Sequence, residues 1–302
     1  MTVLGEERDL DVIELRRVCE VVARDSGALA SAARARASGY SPGPLTTVET
    51  KSSPSDLVTQ IDRDVDDFVR ELLGRERPGE KVRSEERGGA YSEWGITWVV
   101  DPIDGTVNFV RGLPFWAVSI AAVYRGITVA ACVHAPALGW TFIAAEGHGA
   151  YWRDGTSLLS PLVLDDKGTF DLAAGLVATG LSYNAVQKAK QGRLLPVLIE
   201  HSGDIRRCGS AALDLCMVAA GVVDAYFEHG LSDHDWRGGG LIAQEAGALV
   251  RLPAEESCVI DDGLGTDCVF ASAPHVEADL ERLLRAGGAA ELSLADPAPV
   301  HP

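Results

Sequence analysis

Two aspartates three residues apart, Asp101 and Asp104, stand in the segment WVVDPIDGTVNF (98–109), between an apolar run and a glycine. Carboxylates so placed could close a turn, hold a cation or attack a phosphate. The turn needs no function, because Pro-Ile-Asp-Gly suits turn geometry by itself. A calcium loop requires Gly at its sixth position and Glu at its twelfth. Counted from Asp101 these are Thr106 and Gly112, so that reading fails. A covalent aspartyl phosphatase would space its aspartates two apart, so that an extended strand aims both the same way. A spacing of three with Pro102 between them disfavours a nucleophile. The remaining chemistry is a metal site, since Mg2+ takes hard oxygens in near-octahedral geometry and shares them with substrate phosphate. Asp101, Asp104 and the carbonyl of Ile103 can turn toward one small volume. Two such carboxylates cannot both stay ionised in a dry pocket without a cation.

Further acids are available elsewhere in the chain. Asp62 lies in SDLVTQID, Glu85 and Glu86 in VRSEER, and Asp235 in SDHDWRGGGLIAQEAG. Taken singly, Asp62 and Asp235 read as helix caps or first-turn acids, and Glu85-Glu86 as a solvated loop. Taken together with Asp101 and Asp104, they read as one metal site.

The elements that must position these residues follow from periodicity. A long first helix runs from about Leu10 to Ala37, and a Pro/Gly/Ser-rich stretch breaks it. Ile61, Val65, Phe68, Val69, Leu72 and Leu73 share one face of a second helix with Asp62 at its start. Glu85 and Glu86 end a short strand. From Thr97 to Trp152, closely spaced apolar runs separated by RG, PALG and GHG predict an antiparallel sheet, with the opening stretch ended by Pro102 and Gly105. After Ser160 strands and helices alternate: a strand near 174–180, a helix over about 184–200, a strand at DIRRC and a helix from Ser210 through Ala220. The strand VVDAYFE, a helix from about Asp235 to Ala246, a strand ALVRL, a strand over 268–272 and a helix over 275–286 complete it. That alternation predicts a mixed or parallel sheet covered by helices. The expected division is 1–158, carrying the metal motif, then 159–290, then a frayed tail over 291–302.

Composition bounds the function. At 302 residues, 46% hydrophobic and 24% charged, the chain reads as globular. A formal net charge of -17 argues against a basic footprint for nucleic acid. The N-terminal MTVLGEERDLDVIEL is acidic and lacks the apolar core of a signal peptide, and no run is long enough to span a membrane. The six cysteines show no CxxC pair or zinc spacing. The expectation is a cytoplasmic protein with reduced thiols.

The residues above carry a resemblance to the inositol monophosphatase family of Mg2+-dependent, lithium-sensitive phosphatases, and most of all to bacterial inositol-1-monophosphatases. WVVDPIDGTVNF matches the first signature throughout. HDWRGGGLIAQEAG matches the second at Asp235 and at Glu245-Ala246-Gly247, and LVTQID, SEE and RRCGSAALDLCMVAAGVVDAYFEHG occur in the family's order. The resemblance implies an α/β (α+β) fold, a layered αβαβα sandwich of the sugar-phosphatase type, with N-terminal helices and an antiparallel sheet before a smaller C-terminal α/β half. It implies two metals held by Glu85, Asp101, Asp104, Asp235 and the Ile103 carbonyl, and a weaker third held by Asp62 with Glu85. Thr106 would bind the attacking water, Asp62 would draw its proton, and the Gly105 and Thr106 amides would meet the phosphate. Ser210, Ala211 and Glu228 would read the inositol hydroxyls, with Arg206 at the pocket or a subunit interface and Lys51 near the phosphate. A homodimer acting on a phosphate monoester is implied, with inositol-1-phosphate as substrate. Histidinol phosphate, or a sugar or nucleotide phosphate, is the alternative, and some bacterial members also bind transcription complexes. The chain departs from the pattern at His234, Trp236, Arg237 and Gly238. The helix start could be displaced there or Arg237 turned to solvent, and His234 is a conceivable ligand that an all-oxygen Mg2+ site argues against.

Overall fold

The computed structural model describes residues 10–50, 57–164, 171–253 and 263–293. Asp11 caps the first helix, α1 (Val12–Ala37), by accepting from the Glu14 N–H at 2.9 Å. The helix buries Leu15, Val18, Cys19, Val22 and Ser26 at three- and four-residue spacing. A short antiparallel pair, β1 (Glu49–Thr50) and β2 (Leu57–Val58), leads into α2 (Gln60–Glu76).

A seven-stranded sheet follows in chain order: β3 (Lys81–Ser84), β4 (Ile96–Asp104), β5 (Ala117–Tyr124), β6 (Ile127–Ala135), β7 (Trp140–Ala145), β8 (Ala150–Asp154) and β9 (Ser160–Leu162). The short helix α3 (Thr106–Arg111) sits between β4 and β5. The sheet is antiparallel, as the hairpin spacing predicts, except that β3 runs parallel to β4.

The second sheet is mixed, in the order β11-β10-β12-β14-β13. Its elements are β10 (Leu176–Thr179), α4 (Ala185–Gln191), α5 (Leu195–His201), β11 (Asp204–Arg206), α6 (Ala211–Ala219), β12 (Ala225–His229), α7 (Asp233–Glu245), β13 (Leu249–Arg251), β14 (Cys268–Ser272) and α8 (Glu277–Ala286). The helix expected over 184–200 is therefore two. The chain turns at Gly192–Leu194, and Pro196 opens α5, where its missing N–H costs nothing. The tail expected over 291–302 does not hold at its start, because Glu291 and Leu292 belong to a 3-10 turn, Ala289–Leu292, with Leu292 buried; residues 294–302 lie outside the described residues.

Three apolar clusters stack these elements. One joins α1 and α2 to the first sheet, through Val22, Val65, Val100 and Ile120. A second lies between the sheets, where α6 and α7 are buried on both sides. The third covers the far face of the second sheet with Leu198, Leu280 and Leu284. The order of layers is thus α, β, α, β, α.

The middle layer is tight. A Cβ on Gly238 would stand 2.5 Å from Ser119 Oγ of β5, and one on Gly239 would stand 2.6 Å from the Ala212 carbonyl of α6. The two glycines let α7 lie against sheet and helix at once. No helix among the described residues is long and apolar enough to cross a membrane.

Candidate metal and phosphate site

Strand β4 is buried along its whole length and ends at the site. Its pairing with β5 runs regularly to Asp101↔Ser119, then resumes at Asp104↔Ala117. Three steps on β4 thus face two steps on β5, which is a one-residue bulge. Ser119 and Ala117 share a face of the sheet, so their partners do too. The bulge is what lets aspartates three apart point the same way. Pro102 does not end the strand, as the sequence suggests. It falls at the break in the ladder, where a missing N–H is tolerated. Gly105 is the true end, with φ of 94° and a would-be Cβ 2.9 Å from the Phe115 carbonyl.

Asp101 Oδ1 accepts from the Ile103 N–H at 3.0 Å. Asp104 Oδ2 accepts from Ser210 Oγ at 2.5 Å and from the Ala212 N–H at 2.8 Å. Ser210 is the N-cap of α6, accepting from Leu213 N–H, and Ala211 is that helix's first residue; both are buried. The Glu85 N–H continues the β3–β4 ladder by donating to the Val100 carbonyl at 3.1 Å, which sets Glu85 beside Asp101.

Asp62 and Asp235 each occupy the third position of their helix, so the capping reading and the site reading are both true. Asp62 Oδ2 accepts from Thr59 N–H at 2.9 Å and Thr59 Oγ1 at 2.6 Å. Its Oδ1 lies 3.3 Å from Thr106 Oγ1, which is also 3.1 Å from the Ile103 carbonyl. Asp235 Oδ2 accepts from the Ser232 N–H at 2.7 Å. In each case the cap fixes one oxygen and so orients the other. Helix α7 starts at Asp233, two residues earlier than the pattern suggests.

Oxygens of Asp101, Asp104 and Asp235 fall within 4.8 Å of one another, as do donor atoms of Glu85, Asp101 and His234. Burial pushes Asp104 up to about 7, with the Asp235 charge adding and the Ser210 and Ala212 hydrogen bonds opposing. Burial also raises Asp235, with His234 opposing and Glu85 adding. His234 works against its own burial: the carboxylates of Asp235, Asp233 and Glu85 hold its imidazolium up to about 9. A hard dication among these oxygens would remove the repulsion that raises the carboxylates, so the donor set fits a divalent metal.

Arg237 is buried and does not turn to solvent. Its guanidinium lies 4.8 Å from the Trp236 ring and 5.4 Å from the Tyr91 ring, and it donates to the Gly126 carbonyl at 2.9 Å. Tyr91 and Arg83 both donate to Asp233, at 2.5 and 2.8 Å. Despite its burial, His234, Tyr91 and Arg83 hold Asp233 well below the usual carboxylate range.

The second sheet brings a further carboxylate within reach of the Asp235 charge. Glu228, on β12, accepts from Tyr226 Oη at 2.7 Å, and its carboxylate fills the space a Cβ on Gly180 would take. Burial raises Glu228 to about 7 against the Tyr226 hydrogen bond and the Arg207 charge. Arg206, singled out in the sequence, is half exposed and donates to Asp204 at 2.6 Å. Its neighbour Arg207 is the more exposed of the two, and its charge lowers the Glu228 and Asp214 carboxyls against their burial. Arg206 ends β11 and Arg207 lies just past it, and neither is buried.

Three contributors escaped the sequence reading. Asp214, buried on α6, has its carboxyl raised well above normal by burial and by Glu228 and Asp104; a lone acid in the apolar run ALDLCMV was the available signal. Asn108 donates to the carbonyls of Phe115 and Cys208, at 2.6 and 2.7 Å, tying α3 to the loop before Ser210. Arg70 donates to Ser84 Oγ at 2.7 Å and pairs with the fully buried Asp66 at 3.1 Å, clamping the Glu85 loop to α2. Lys51 lies outside the described residues.

The sequence model described as "Inositol monophosphatase family" matches residues 18–288. The chain is 41% identical over 294 residues to inositol-1-monophosphatase of Mycobacterium leprae, covering 94% of this chain and 98% of that one. It is 35% identical to Nus factor SuhB of Vibrio cholerae, over 80% of this chain and 88% of that one. The solved structure of Mycobacterium tuberculosis SuhB superposes with a TM-score of 0.76 at 38% identity, covering 93% of this chain and all of that one.

Proposed function

The chain belongs to the inositol monophosphatase family of metal-dependent phosphomonoesterases, and we propose from that premise that it hydrolyses inositol-1-phosphate to inositol and phosphate with Mg2+. The observation that carries the reading is the bulge in β4, which turns Asp101 and Asp104 toward Asp235 with donor oxygens within 4.8 Å. Glu85, Asp101, Asp104, Asp235 and the Ile103 carbonyl would hold two Mg2+ ions, and Asp62 with Glu85 a third. When bound, the ions supply an acidified water and balance the charge of the phosphoryl group.

The protein's own groups orient the reaction. Thr106 Oγ1 orients the attacking water and takes up its proton as the Thr106 hydroxyl proton passes to Asp62 Oδ1, 3.3 Å away, so the hydroxyl is restored. The first N–H groups of α3, at Gly105 and Thr106, have no intrahelical acceptor and meet the phosphate oxygens. Ser210 and the Ala212 amide keep Asp104 from rotating away. Glu228 accepts from two vicinal hydroxyls of the alcohol, with Ala211 beside it and Arg206 at the border. The inositol assignment is supported by the relatives named inositol-1-monophosphatase and by the chemistry of Glu228, a carboxylate able to accept from a polyol. The same reading carries a cytoplasmic homodimer inhibited by lithium, tested by sedimentation and by Li+ titration of activity.

One panel tests the function: phosphate release from inositol-1-phosphate, histidinol phosphate, phosphoadenosine phosphate and fructose-1,6-bisphosphate, with and without a chelator. Mg2+-dependent turnover of inositol-1-phosphate ahead of the others supports the reading. Turnover of histidinol phosphate alone sinks the substrate assignment. The relatives named Nus factor support a second reading, a protein-partner role, and the intact acidic cluster favours the enzyme over it.

A further inference from the structure

The donor atoms around Asp101 form two triples of different chemistry. Asp101, Asp104 and Asp235 offer only carboxylate oxygens, whereas Glu85, Asp101 and His234 bring an imidazole nitrogen to two carboxylates. Atoms within each triple lie within 4.8 Å of one another. For bonds of about 2.1 Å, neighbouring ligands of an octahedral ion sit about 3 Å apart and opposite ones about 4.2 Å. Each triple can therefore close on an ion with small side-chain rotations.

His234 is held for this by its neighbours on α7. Asp233 before it is anchored to β3 and Tyr91 by the Arg83 and Tyr91 hydrogen bonds, and Asp235 after it is anchored by the Ser232 amide. The imidazole is only 16% exposed. Its Nδ1 is 3.7 Å from Asp233 Oδ1 and its Nε2 is 3.7 Å from Asp235 Oδ1. Both distances are longer than a hydrogen bond. The ring thus stands in the cluster without a short hydrogen bond to either flanking carboxylate.

We infer that Glu85, Asp101 and His234 form a mixed nitrogen–oxygen position that selects a first-row transition dication over Mg2+, next to the all-oxygen position at Asp101, Asp104 and Asp235. Imidazole is a good ligand for such ions and a poor one for Mg2+, which keeps oxygen and water. Asp101 is common to both triples, so it bridges the two positions. The inference rests on the metal-phosphatase reading and replaces Mg2+ by a transition dication at one of the positions assigned to it there.

The test uses the full chain stripped of metal, titrated with Mn2+ and with Mg2+ by calorimetry, and read in the Mn2+ form by electron spin-echo modulation. Mn2+ is expected to bind at least about tenfold more tightly than Mg2+, with the nitrogen modulation of a coordinated imidazole. His234→Phe should abolish that modulation and weaken Mn2+ by about tenfold or more, while Mg2+ shifts by less than about threefold. His234→Gln, which offers an oxygen, should also lose the modulation but regain part of the Mn2+ affinity. It carries the test if the Phe variant does not fold. Asp101→Asn should weaken both ions. Absence of nitrogen modulation in the unmodified chain, or its persistence in either His234 variant, overturns the inference. Phosphate release separates the two readings. An inactive protein with the His234-dependent signal refutes the phosphatase alone, and an active one without the signal refutes the nitrogen ligand alone.

Discussion

At the metal end of the site, Asp62, Asp101, Asp104 and Asp235 each accept from a backbone N–H; at the alcohol end, the polar groups are fixed mainly by other side chains. Asp62 and Asp235 are locked by main-chain N–H groups at helix starts, Asp104 by the Ala212 amide, and Asp101 by the amide two residues on. Glu228 leans on the Tyr226 hydroxyl, and Arg207 and Asp214 act on it through their charges. Backbone-held carboxylates cannot relax when a neighbour changes, so they suit a fixed ion geometry. Side-chain-held groups can be exchanged without disturbing a helix or strand, which suits a pocket shaped to one alcohol.

That contrast is testable, and the largest effect belongs to the metal end. Asp104→Asn removes a charge between Asp235 and the α6 cap. Phosphate release at saturating Mg2+ should fall by about 10³-fold or more, and full activity would remove the basis for the metal site. Thr106→Ala should lower kcat by about 10²-fold. Thr106 is not the N-cap of its helix, so the melting temperature should hold, and a collapse in stability would show the hydroxyl to be structural.

Arg70 touches no candidate ligand, but it clamps the Glu85 loop to the helix that carries Asp62. In Arg70→Lys, the Mg2+ concentration for half-maximal activity should rise by about tenfold, with kcat at saturation nearly kept. A fall in kcat with unchanged metal dependence would contradict the positioning role. Glu228→Gln should have the smallest effect on chemistry. KM for inositol-1-phosphate should rise by about tenfold, while an aryl phosphate with no hydroxyls is hydrolysed as before. Equal losses on both substrates would erase the distinction between the two ends.

Several features were legible in the sequence because they are local. The buried face of α2 shows in Ile61, Val65, Val69 and Leu73, and the hairpins of the first sheet show in their turn residues. The acids themselves could be named because carboxylates in apolar surroundings stand out. The bulge could not be seen. Nothing in WVVDPIDGT tells whether β5 opposes it residue for residue, and Pro102 by itself reads as a strand end. The split of the 184–200 helix turned on Pro196, whose preference for a first helical turn competes with the apolar periodicity around it.

By itself, then, the sequence determined which side chains can bind a dication and roughly which element carries each one. Short-range rules such as periodicity, capping and turn chemistry act within a few residues and can be read without coordinates. Only the tertiary structure decided that Asp101 and Asp104 face one way and that His234 joins the acids. Each of those depends on the register between strands or on how α7 packs between a sheet and a helix. His234 meets Glu85 and Asp101 from more than a hundred positions away, and no local pattern encodes such a contact.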